Sequence, residues 1–97
     1  MTKKRVVVTG LGTVNALGKN VPEFWANLIA GKSVISKIEG FKELGLASQV
    51  GGKVYDFDLA QIDPQLTIKD IRKMSRFTQF AYAAGLEAVK DSGLDIS

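Results

Sequence analysis

The sequence contains neither cysteine nor histidine. Without cysteine there is no disulfide and no thiol nucleophile. Without either residue there is no cysteine–histidine zinc site and no catalytic triad built on histidine. Chemistry that depends on those two side chains cannot occur within these 97 residues. Long apolar runs are also missing, and nothing approaches the ~18 residues that a membrane span needs. Internal repeats and low-complexity segments are absent as well. The opening Lys3-Lys4-Arg5 before Val6-Val7-Val8 has the order of a secretory leader. Its apolar run is far short of the ~7–15 residues of a leader's central region, however, and reads instead as a cytosolic start followed by a strand.

What is present describes an ordinary folded chain. Hydrophobic residues make up 45% and charged residues 24%, a balance that favours a packed core over disorder. The length suits one modest core. The three valines give Arg5–Thr9 the continuous, β-branched character of a strand covered on both faces. Thr9-Gly10-Leu11-Gly12 then reads as a turn. Pro22–Ala30 is predicted to be an amphipathic helix, with Pro22 at its first position and Phe24, Trp25, Leu28 and Ile29 on one face, stopped by Gly31. Residues 33–46 read as loop with a short helical turn near Phe41–Leu44. Ser48–Tyr55 reads as a strand interrupted by Gly51-Gly52, where a bulge or a close backbone approach is expected. Thr67 is predicted to cap a helix with Asp70 at its third position. Ser75 then divides it from a second helix over about Arg76–Lys90, which stops at Ser92-Gly93. The buried stripe of that helix is expected to be Phe77, Phe80, Ala81, Ala84 and Ala88, whose alanines allow another backbone to come close.

Few features point to chemistry. Gly10-Leu11-Gly12 after a strand invites a dinucleotide-binding reading, but that fingerprint needs a small residue where Asn15 stands and a helix that opens at once. The two glycines are therefore assigned to a tight turn. Asp56 and Asp58 flank Phe57 in a turn-rich stretch and are assigned to turn formation, not to a metal. The segment 67–76 is more distinctive. Lys69, Arg72, Lys73 and Arg76 oppose a single acid, Asp70, so this one segment matches the net +3 of the whole chain. Their spacing of i, i+3, i+4 and i+7 places them on one face if one helix holds them, with Ile68, Ile71 and Met74 turned to the core. A basic stripe suits an acidic partner, although such a run is often only a solvated face. No aromatic residue lies among these cations to stack a base, which argues against nucleic acid.

The stretch Arg5-Val6-Val7-Val8-Thr9-Gly10-Leu11-Gly12 resembles the first strand and turn of the elongating β-ketoacyl-[acyl-carrier-protein] synthases. Phe24-Trp25, Leu28-Ile29-Ala30-Gly31-Lys32-Ser33, Asp56-Phe57-Asp58, Arg72-Lys73-Met74-Ser75-Arg76-Phe77 and Ala88-Val89-Lys90-Asp91-Ser92-Gly93-Leu94 continue the resemblance in order along almost the whole chain. Arg72-Lys73-Met74 favours the KAS II branch over the neighbouring KAS I. The resemblance implies an α/β fold, with residues 1–97 forming the N-terminal part of a thiolase-like layered αβαβα domain. It further implies a cytoplasmic homodimer that takes part in fatty acid biosynthesis and needs no cofactor or metal. Such enzymes join an acyl group held on a cysteine to malonyl-carrier protein with loss of carbon dioxide, assisted by two histidines. No catalytic residue falls on this chain. The basic positions that contact the acidic acyl carrier protein correspond to Lys69, Arg72 and Lys73, while Arg76 departs from that pattern and has no assigned role. The alternative is a stand-alone module that binds an acidic carrier protein through the same basic helix. A membrane or nucleic-acid partner is not expected.

Overall fold

The computed structural model describes residues 2–96. Helix α1 (Val21–Ile29) is followed by strands β1 (Ile35–Lys37) and β2 (Val50–Gly52), then by helices α2 (Leu59–Ile62), α3 (Ile68–Arg72) and α4 (Arg76–Ser92). The chain is thus a mixture of helices with one small antiparallel sheet, in which Ile35 faces Gly52 and Lys37 faces Val50.

Helix boundaries follow local chemistry. The Asn20 side chain accepts the Glu23 amide at 2.9 Å and opens α1. Pro22 sits one position later than predicted, where its missing N–H is equally unneeded. The α3 cap is the expected reciprocal box: the Asp70 amide donates to Thr67 Oγ1 at 3.1 Å and the Thr67 amide donates to Asp70 Oδ2 at 3.0 Å. These bonds, the backbone one first, hold the Asp70 carboxyl below its ordinary range. Gly93, at φ +71°, ends α4 in the left-handed conformation that a residue with a Cβ resists.

The core is small. Among the described residues Phe57, Leu59 and Ala83 are the buried hydrophobic ones, and Val14 and Val54 pack against them with Ile62, Leu66, Ile71, Met74 and Phe80. Phe57 and Phe80 meet edge to face with ring centres 5.0 Å apart, a geometry that contributes about 1 kcal/mol beyond burial. Tyr82 donates its hydroxyl to Asp63 Oδ2 at 2.7 Å and ties the end of α2 to α4. That bond, with some desolvation and the aspartate's charge, raises the tyrosine's pKa.

Several expectations are corrected. The predicted strand Arg5–Thr9 has no ladder partner, and Val6 is 92% exposed. A strand's backbone groups need a neighbouring strand, and the described residues place none beside it. Gly10 and Gly12 form no turn there. They lie flat against α4, where a Cβ on Gly10 would come 2.2 Å from the Ala88 carbonyl oxygen and one on Gly12 1.8 Å from that of Ala84. Ala84 and Ala88 do admit a close backbone, as the alanine stripe suggested. That stripe is otherwise rotated: Ala83 is the buried residue, Ala81 is exposed, and Phe77 is 75% exposed. Trp25, Leu28 and Ile29 on α1 are uncovered too. β1 was expected to be loop, and β2 pairs regularly across both glycines with no bulge. The expected helical turn is present, closed by a bond from the Leu44 amide to the Gly40 carbonyl at 3.1 Å.

These exposures add up. The accessible surface is 7955 Å², against about 5,400 Å² for a compact monomer of this mass. The radius of gyration is 17.3 Å, against about 12.5 Å for a compact domain of this length.

Candidate functional site

The basic segment is shaped by two short-range decisions. The capping box starts α3 at Ile68, and the helix ends at Arg72 with Lys73 as its cap residue. Ile71 and Met74 pack on the core. Lys69 and Lys73, four residues apart, therefore lie on the side away from Ile71, with Arg72 flanking them, and all three are exposed. Asp70, the one acid of the segment, is turned back onto the Thr67 amide. Lys69 and Arg72 also stand in the last turn of α3, where cations complement the helix dipole.

Arg76 does not join this group. One helix does not hold all four cations, because α3 ends before Ser75 and Arg76 is the first residue of α4. Its guanidinium donates through Nη2 to the Phe57 carbonyl at 2.9 Å and through Nη1 to Gln79 Oε1 at 3.2 Å. The same group lies 5.0 Å from the Phe57 ring centre and 5.3 Å from that of Phe80, within reach of cation–π attraction. Gln79 uses its other end as well, donating Nε2 to the Met74 carbonyl at 3.3 Å. The fourfold stripe read from spacing is thus a threefold patch with a bracing arginine beside it. Sequence reasoning missed Gln79 altogether. The available signal was an arginine and a glutamine one helical turn apart, bracketed by aromatic residues.

Elsewhere a half-open cleft of about 530 Å³ lies between the N-terminal limb (residues 2–14), the start of α1 and α4, lined in part by Leu11, Val21, Leu86, Glu87 and Asp91. Its carboxylates are already committed. Glu87 accepts the Thr13 amide at 3.0 Å and the Val21 amide at 2.8 Å, and Asp91 accepts the Leu11 amide at 3.0 Å. The cleft is a seam between segments and offers no free acid–base pair. Gly10-Leu11-Gly12 borders α4 rather than opening a helix, so a phosphate cradle is ruled out there. Asp58 caps α2 through the Ala60 amide at 3.0 Å, a helix N-cap rather than the turn expected of it, and Asp56 takes a left-handed conformation at φ 56°. Among the described residues no cluster of three or more acids could hold a metal. No described helix is long and apolar enough to cross a membrane.

Residues 3–97 match the family model described as the beta-ketoacyl synthase N-terminal domain. The chain is 43% identical over 97 residues to the 3-oxoacyl-[acyl-carrier-protein] synthase 2 of Coxiella burnetii and 41% identical to that of Vibrio cholerae. In both cases the alignment covers all of this chain and 23% of the relative. The synthase 2 of Staphylococcus aureus is 37% identical over 94 residues, covering 97% of this chain and 22% of its own length. The chain therefore spans under a quarter of the length of the curated relatives it matches.

Proposed function

Because the chain belongs to the β-ketoacyl synthase family, matching its N-terminal domain, we propose that it is the opening part of a 3-oxoacyl-[acyl-carrier-protein] synthase of fatty acid elongation. In this reading the whole enzyme holds an acyl group as a thioester on a cysteine. Decarboxylation of malonyl-carrier protein supplies the carbanion that attacks the thioester carbonyl. A carbon–carbon bond forms, the carbon–sulfur bond to the enzyme breaks, and carbon dioxide leaves. Two histidines assist. None of these residues lies in this chain, whose cysteine and histidine counts are zero. Its own share is scaffold and docking.

The match over residues 3–97 carries the reading, and the surface supports it. Val6, Val7 and Val8 are exposed, as expected of a strand whose neighbours come from the rest of a layered thiolase-like domain. The whole enzyme is read as a cytoplasmic homodimer, and the excess surface and uncovered faces of α1 and α4 leave room for cover from the rest of the domain. Lys69, Arg72 and Lys73 would receive the acidic carrier protein. Such charges speed and orient encounter more than they deepen affinity. The direct test is a condensation assay with acyl- and malonyl-carrier protein. The full-length gene product should release carbon dioxide and form the 3-oxoacyl product, and the 97-residue chain should do neither. A full-length product without condensing activity would overturn the synthase reading. Turnover by the 97-residue chain would overturn the placement of the chemistry outside it.

A further inference from the structure

The arginine left without a role in the basic segment occupies the most connected position near it. Arg76 is exposed overall, yet its guanidinium already has partners: the Phe57 carbonyl, the Gln79 side chain and the faces of two rings. The next link is Gln79. Its oxygen accepts from Arg76 and its nitrogen donates to the Met74 carbonyl. An amide held between a donor-only guanidinium and an acceptor-only carbonyl has one satisfactory orientation. Met74 follows Lys73 directly and accepts no freedom of its own, because its amide donates to the Ile71 carbonyl at 3.0 Å. A continuous relay therefore runs from the Phe57 carbonyl through Arg76 and Gln79 to Met74. It spans the short link between α3 and α4.

We infer that Arg76 is a positioning residue for carrier docking, acting through Gln79 and Met74 to fix the angle at which α3 presents Lys69, Arg72 and Lys73. The inference rests on the carrier-docking reading given above. It assigns Arg76 a task that its charge alone cannot perform. Lysine keeps the charge but not the planar fork that meets two acceptors within cation–π reach of two rings, so this arginine is not interchangeable with lysine.

The experiment is a calorimetric titration of acyl carrier protein into the full-length protein at several salt concentrations. Arg72→Glu tests the docking reading itself, and Arg76→Lys and Gln79→Leu test the relay. Neither relay variant changes the net charge. Each is expected to raise Kd roughly fivefold with the binding stoichiometry and the slope of log Kd against log salt unchanged. A variant that merely unfolds part of the sample lowers the stoichiometry and leaves Kd alone. The two relay substitutions combined should cost little more than either one, since they break the same connection. If Arg72→Glu weakens binding while both relay variants stay within about twofold of the parent, the positioning role is wrong and the docking reading stands. If Arg76→Lys weakens binding and Gln79→Leu does not, Arg76 touches the carrier directly and the relay is wrong. If Arg72→Glu has no effect, the docking reading fails and the inference falls with it.

Discussion

The knot around Phe57 and the limb of residues 2–14 are held by opposite means. The knot closes on itself: Leu59 is 1% exposed, Phe57 and Phe80 meet edge to face, and Arg76 stitches a loop carbonyl to α4. Val14 packs on the knot, but Val6, Val7, Val8 and Leu11 of the limb are exposed. The limb is fastened by backbone, with amides on Glu87 and Asp91 and glycines flat on Ala84 and Ala88. Hydrophobic burial sets the stability of the first region, and hydrogen bonds with close approach set the position of the second. The same helix serves both, with Phe80 and Ala83 turned to the knot and Ala84 and Ala88 to the limb.

The contrast can be broken at either end. The largest effect is expected from Leu59→Ala, which empties the centre of the knot. A cost of about 2–5 kcal/mol follows for such a truncation. Because the core is so small, urea unfolding should show loss of the cooperative transition rather than a modest shift of its midpoint. Gly12→Ala should act on the limb alone. Its new methyl meets the Ala84 carbonyl, and overpacking of this kind costs about 1–3 kcal/mol. Amide exchange should quicken at Leu11 and Thr13 while the Asp63 and Ala83 amides keep their protection. Equal quickening in both regions would show that knot and limb are one cooperative unit.

The smallest effect concerns pH. The Asp70 carboxyl titrates below its ordinary value in the folded chain. Its contribution is therefore fully present above the unfolded value, about pH 4. It is lost as the pH falls through the lowered folded value. Acid titration followed by NMR should release the Thr67 amide first, with the knot intact. Asp70→Asn should remove that transition. A Thr67 amide that ignores acid would show that the box is not what holds α3.

Local chemistry explains why some of this was readable beforehand. Thr67 and Asp70 lie three residues apart, so their box is written within one turn. Gly93 and Pro22 act on their own backbone. The Val6–Val8 strand misled because its character depends on neighbours that the described residues do not supply. The α4 stripe was rotated because periodicity finds a face but not which of two segments will cover it; Phe77 shares the spacing of the buried residues and faces open space. Arg76 eluded spacing altogether. Its decisive acceptor is a backbone carbonyl 19 residues away, and no side-chain pattern announces a carbonyl. For the patch itself, Lys69, Arg72 and Lys73 were legible as a stripe, and only their separation from Arg76 needed the fold.

The bonds from Glu87 and Asp91 to the limb also impose a schedule. Leu11 and Asp91 are 80 residues apart, so the limb is made well before the carboxylates that fasten it. At cellular synthesis rates that delay is roughly 4–16 seconds. During it the Leu11 and Thr13 amides lack the carboxylates that hold them in the fold. Lys3, Lys4 and Arg5 stand directly before the valines, where like charges discourage two such segments from pairing edge to edge. Basic residues placed beside an exposed apolar run thus oppose its self-association.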